Sequence, residues 1–125
     1  MKLFVDEDAG PRLGRALREI GIDTNHIGRP GLPRGTHDEI WMPVAARQGR
    51  MVLSRNSSIL VTDAQLEILL REQMGFVFLP QHLDPRRTMT LILRWFDKLV
   101  ALYEREQRPF AFFLGTRGKI TSLPL

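Results

Sequence analysis

The stretch Met1-Lys2-Leu3-Phe4-Val5-Asp6-Glu7-Asp8-Ala9-Gly10 decides how the rest of the chain is read. Lys2 to Val5 is a short apolar run, and Leu, Phe and Val suit a strand covered on both faces of a sheet. Three acids follow directly, then Pro11 and a helical pattern. In an open α/β sheet that junction is the carboxyl end of a strand, where ligands usually sit. Close carboxylates repel one another by roughly 1 kcal/mol per pair at surface dielectric, and by more when buried. A cation relieves that repulsion, so metal binding is one reading of the acids. The other is capping, since Asp6 or Asp8 can serve as the N-cap of the next helix. One cap explains one acid. The stretch alone leaves both readings open.

Outward from this junction, Leu13, Ala16, Leu17 and Ile20 recur at helical spacing over Pro11 to Ile20, and Gly21 is a natural stop. Ile22 to Ile27 alternates as a short strand, with His26 more readily a structural hydrogen-bonder than a ligand. Gly28 to Gly35 holds too much Gly and Pro for a regular element. It carries Arg29 and Arg34 and reads as a solvated linker or a substrate-facing flap. Thr36-His37-Asp38-Glu39 has the form of a capping box opening a helix that runs to a Gly49 stop, with Pro43 expected to kink it. The box engages Glu39 and leaves Asp38 free near the positive end of the helix dipole. Arg50 to Ser54 returns to strand, and Arg55-Asn56-Ser57-Ser58 is a polar turn. A second capping box, Thr62-Asp63-Ala64-Gln65, opens a helix faced by Leu66, Leu69, Leu70 and Met74. Phe76 to Leu79 is another buried strand. Asp84-Pro85 is an N-cap with proline at the first helical position. From there an apolar pattern through Met89, Ile92, Phe96, Leu99 and Tyr103 predicts one long helix, decorated by Arg86, Arg87, Arg94, Lys98, Arg105 and Arg108. Phe110 to Leu114 and Lys119 to Leu123 flank a turn and predict a β-hairpin.

Strand and helix alternate along the chain, which argues for a mainly parallel sheet with helices on both faces. In such a fold Asp6, Asp38 and the Asn56 turn can meet in one cleft. The length of 125 residues suits a single domain over residues 1–125, and its hydrophobic fraction of 43% and charged fraction of 26% are ordinary for a globular protein. There is no cysteine, which excludes disulfides and thiolate metal sites. No run of about 18 apolar residues predicts a transmembrane helix. Asp6 interrupts the N-terminal apolar run too early for a signal peptide, so a soluble, cytoplasmic protein is expected. The net charge is +4, and most of the basic residues are arginines, which bind phosphate bidentately and lean toward nucleic acid.

The strand ending in Asp6-Glu7-Asp8, the Thr36-His37-Asp38-Glu39-Ile40-Trp41 helix start and the Val52-Leu53-Ser54-Arg55-Asn56 turn resemble the PIN-like domains, most closely the VapC-like toxin ribonuclease branch. That resemblance implies a Rossmann-like α/β/α sandwich whose acidic residues hold Mg²⁺ or Mn²⁺ and cleave RNA. By resemblance Asp6 and Asp38 match the family's acids and serve as metal ligands, with Asp8 or Glu7 adding a ligand or orienting water. Asn56 falls where the family typically has aspartate, which removes one negative charge from the site. Arg55, with Arg12, Arg29 and Arg34, would hold the RNA backbone. A toxin would imply an antitoxin partner and often a homodimer. Two other classes compete: a catalytically weakened module that binds RNA or protein, and a phosphatase-like domain using Asp6 as nucleophile. The last lacks a following Ser/Thr motif or Gly-rich phosphate loop.

Overall fold

The computed structural model describes residues 1–125. Strand β1 (Leu3–Val5) leads through helix α1 (Pro11–Glu19) to β2 (Thr24–His26) and α2 (Asp38–Arg47). Then come β3 (Met51–Ser54), a short 3₁₀ helix (Ser57–Val61), α3 (Asp63–Arg71) and β4 (Gly75–Phe78). Helices α4 (Pro85–Arg94) and α5 (Phe96–Arg105) precede β5 (Phe110–Leu114) and β6 (Ile120–Ser122). The strands form one sheet in the order β2-β1-β3-β4-β5-β6. Every pairing is parallel except the antiparallel β5–β6 hairpin, in which Leu114 faces Ile120. This is the expected Rossmann-like α/β/α sandwich.

Alternation along the strands divides the apolar residues between two cores. Leu3, Val5, Met51, Leu53, Val77 and Leu79 point to one face, where they meet Leu13 and Leu17 of α1, Leu91 and Ile92 of α4, and Leu99 and Leu102 of α5. Phe4, Val52, Phe76 and Phe78 point to the other, against Trp41, Met42 and Ala45 of α2 and Ile68 and Leu69 of α3. The Phe4 and Trp41 rings stack there with centroids 5.0 Å apart. The chain leaves β1 for β2 on one side and returns past it to β3 on the other. Between β1 and β3 the winding reverses, and the crevice outside the carboxyl ends of two such strands is where ligands bind in this architecture.

Three local expectations are corrected. The long helix is two, because Trp95 leaves helical geometry at φ −108°, ψ 25°. Its ring packs flat against Gly118, where an added Cβ would come within 2.3 Å of it. Neither capping box forms. The Thr36 hydroxyl donates to the Pro33 carbonyl and that of Thr62 to the Ser58 carbonyl, so both turn back to the preceding turn instead of accepting from the helix. Finally, Leu70 is exposed and Ile68 takes its expected place in the core. Helix α2 runs through Pro43 to Arg47. No helix is long and apolar enough to cross a membrane.

Candidate active site

Asp6 follows β1 directly, and its backbone N–H donates to the carbonyl of Leu53 in β3. It is 3% exposed. One carboxylate oxygen accepts from the Ala9 amide at 2.9 Å, closing the turn ahead of α1; that helix starts from Gly10 with no side-chain cap, so neither Asp6 nor Asp8 is the N-cap that the sequence allowed. Burial pushes its carboxyl up from 3.8 to about 7, with the negative charges of Asp8 and Asp38 adding to the rise. Hydrogen bonds from Ser54 and Ala9 pull the other way. The Asp6 carboxyl therefore lies within electrostatic reach of both Asp8 and Asp38, although residues 6 and 38 lie far apart in sequence. None of the three aspartates takes part in an ion pair.

Asp38 opens α2 and is held from two sides. Its Oδ1 accepts from Trp41 Nε1 at 2.8 Å, and its Oδ2 from Gln65 Nε2 at 3.3 Å. Spacing of three along a helix brings the Trp41 ring over the first-turn carboxylate. Gln65 arrives from α3, where the sequence pattern had assigned it to a capping box. Its Oε1 is buried without any partner. Fully buried Ser54 joins the two sides of the crevice, because its Oγ also accepts from the Asn56 amide at 2.9 Å. Asn56 in turn caps the 3₁₀ helix, its Oδ1 accepting from the Ser58 amide at 3.2 Å and from the Ser58 hydroxyl. That oxygen is thus employed in the fold, leaving the carboxamide NH₂ as the free end.

Glu7 departs from its expected place beside Asp6 and Asp8. Successive residues point different ways, and the Glu7 carboxylate accepts from Gly35 N at 3.0 Å and pairs with Arg34 at 3.5 Å. The Gly28–Gly35 segment is accordingly docked, with Leu32 buried in the core. Arg34 is spent on Glu7. Arg12 and Arg29 line neither of the cavities at the carboxyl edge. Arg55 does. With Asp8, Asn56 and Gln81 it surrounds a polar cavity of about 390 Å³. Its NH2 donates to Thr88 of α4 at 2.6 Å, while its Nε is buried and unpartnered. Its carbonyl accepts from Gln81 Nε2 at 2.9 Å. His26 is structural, as its sequence context suggested: buried, with Nδ1 2.8 Å from the Ile27 carbonyl oxygen.

These side chains offer a divalent cation a mixed fit. No three His, Cys, Asp or Glu residues are arranged as a ready metal cage. A hard cation that keeps several waters needs only one or two carboxylates, however. A buried Asp6 without a counter-ion and an orphaned Gln65 oxygen beside Asp38 are the donor types such an ion takes. Ser54, Gln65 and Gln81 escaped the sequence reading. Gln81 was legible in principle, since it lies in the segment after β4 as Asp6 and Asn56 lie in the segments after β1 and β3, though farther from its strand than either.

No curated protein and no solved structure matches the chain significantly. The family model described as a PIN-like domain matches residues 1–81, from β1 through the segment that follows β4. Asp6, Asp8, Asp38, Arg55, Asn56, Gln65 and Gln81 all fall within that match. On its sequence and its fold, the chain belongs to the PIN-like domain family.

Proposed function

We propose that this chain is a metal-dependent ribonuclease that hydrolyses RNA phosphodiester bonds at the carboxyl edge of its sheet, in the manner of a toxin ribonuclease. The observation that carries this is the buried Asp6 carboxyl at the carboxyl end of β1, which has no counter-ion and lies within electrostatic reach of Asp8 and Asp38. Asp6 and Asp8 would hold Mg²⁺ or Mn²⁺, with Asp38 reaching it directly or through water. When bound, the ion neutralises developing negative charge and supplies hydroxide near neutral pH. The Trp41 and Gln65 hydrogen bonds keep Asp38 in one orientation. Arg55, unpaired with any carboxylate, offers charge-assisted hydrogen bonds to a phosphate oxygen. The Asn56 NH₂ can donate to the same group.

Ribonuclease assay with Mn²⁺ or Mg²⁺ tests this reading: Asp6→Asn and Asp38→Asn should each lose roughly 100-fold or more in rate, the scale of losing charge stabilisation at the reacting centre. Equal cleavage by all three proteins would assign the activity elsewhere. A second reading, a weakened module that binds RNA or a protein partner, is favoured by the missing carboxylate at residue 56 and the absence of a three-acid cage. Asn56→Asp separates the two, because aspartate keeps the cap while adding charge. A weakened nuclease gains metal affinity and rate from it; a pure binder gains neither. The toxin role further implies an antitoxin that covers the cleft, an association in cells that co-purification would reveal.

A further inference from the structure

Helix α4 carries three exposed arginines, Arg86, Arg87 and Arg94, and no acid. At 3.6 residues per turn these share one face with Thr90 at its centre. The same face carries Leu93, which is 46% exposed. Beside it opens a cavity of about 300 Å³, lined by the three arginines, Thr90, Thr116 and the buried Leu83 and Leu91. Only Arg87 has a carboxylate partner, Asp84 at 3.9 Å, while Arg94 lies over the Trp95 ring at 5.3 Å. Arg86 and Arg87 stand in the first turn, where the helix dipole disfavours cations. Neighbouring guanidiniums also repel one another. The isolated fold is therefore better off without this cluster, and an acidic partner reverses the balance.

We propose that this face of α4 docks an acidic amphipathic helix of a partner protein, with one aliphatic side chain in the 300 Å³ cavity and carboxylates on the arginines. Two observations favour a protein over a nucleic acid. The cavity is walled by leucines and by no aromatic ring, so it offers a base no flat surface for stacking. Leu93 stands exposed among the cations, where a phosphate backbone has no contact to make with it. The apolar stripe of an amphipathic helix does. Arg86 and Arg94 are eight residues apart, about 12 Å along the helix, so acids two turns apart on the partner meet them with a leucine or methionine between. Guanidinium and carboxylate pair bidentately, and complementary charge across such a contact sets the choice of partner. None of the residues lining this cavity borders the polar cavity around Asp8, and all lie beyond residue 81, where the family match ends. Docking here stands whether or not the crevice cleaves RNA.

Fluorescence anisotropy with a labelled, stapled helical peptide tests the face; the probe carries glutamates two turns apart on one side and a leucine between them. Wild type should bind it, and replacing the glutamates by glutamine or the leucine by serine should each weaken binding roughly tenfold. R86E/R94E should lose the acidic peptide and bind instead the same helix with lysine in place of glutamate, a reversal that a misfolded protein cannot mimic. Both arginines are exposed and neither forms an ion pair, so the exchange leaves the core untouched. Leu93→Ser keeps every charge and should weaken the acidic peptide several-fold. Failure of wild type to bind the glutamate peptide, equal affinity for the glutamine peptide, or no charge reversal in R86E/R94E overturns the proposal. Tighter binding of single-stranded octauridylate than of the peptide, measured in EDTA, also overturns it and makes α4 a nucleic-acid surface.

Discussion

Asp6 carries a cost whose sign can be worked out. Its carboxyl ionises near 7 in the folded chain and near 3.8 when exposed, because burial disfavours the charged form. Between those values the folded state holds a proton that the unfolded state has released, so stability falls as pH rises from about 4 to about 7. Above 7 the penalty is complete, at most about 4 kcal/mol at roughly 1.4 kcal/mol per tenfold change in proton affinity. Asp6→Asn removes it. Denaturant unfolding should show the variant more stable than wild type at pH 8, with the difference vanishing by pH 4; a constant difference across that range would contradict the burial argument. The same residue that is proposed to hold the ion therefore weakens the unliganded fold, a trade familiar at functional sites. Gly14 makes a second residue-scale case. In helix α1 an alanine would ordinarily help by about 1 kcal/mol. Here a Cβ would meet His26 Cβ and Cγ at 2.5 Å. Gly14→Ala should destabilise by about 1–3 kcal/mol instead, read as a lowered Tm, and a raised Tm would show that β2 can yield.

At the scale of elements, what was legible in the sequence was whatever repeats. Unbroken apolar runs at Leu3–Val5 and Phe76–Phe78 and stops at Gly21 and Gly49 located strands and helices without reference to anything distant. The corner at Trp95 was not legible, because the apolar spacing passes through it undisturbed; only the packing of its ring on Gly118 makes it a break. The capping boxes failed for a related reason. A threonine hydroxyl is both donor and acceptor, and its choice between the amide ahead and the carbonyl behind depends on the turn before it. The candidate site shows the same division. Asp6 and Asp38 could be singled out as acids at element boundaries, yet Ser54 and Gln65, which hold their surroundings together, look like ordinary strand and cap residues. Glu7 could not be told from Asp8 until the Gly28–Gly35 segment took its carboxylate.

For the whole molecule, binding a cation at the crevice should couple to folding. Mn²⁺ at about 100 times its dissociation constant stabilises the folded state by about 2.7 kcal/mol, several degrees of Tm for a chain of 125 residues. Because the ligand must lose its proton, apparent affinity should fall about tenfold for each pH unit below 7. Calorimetry should therefore find a Tm rise with Mn²⁺ at pH 7.5, a smaller one at pH 5.5, and none in Asp6→Asn. No rise at pH 7.5 in the wild type would leave the acids without an ion to serve. The division of the sheet into an aliphatic and an aromatic side over β1, β3 and β4 has its own consequence. Sliding β1 by one position past β3 would exchange every side chain between faces, forcing Phe4 among leucines and leaving a void opposite Trp41. Mispairing is thereby penalised twice over, and the alignment that sets Asp6 beside Ser54 is proofread by parts of the protein that never touch a substrate.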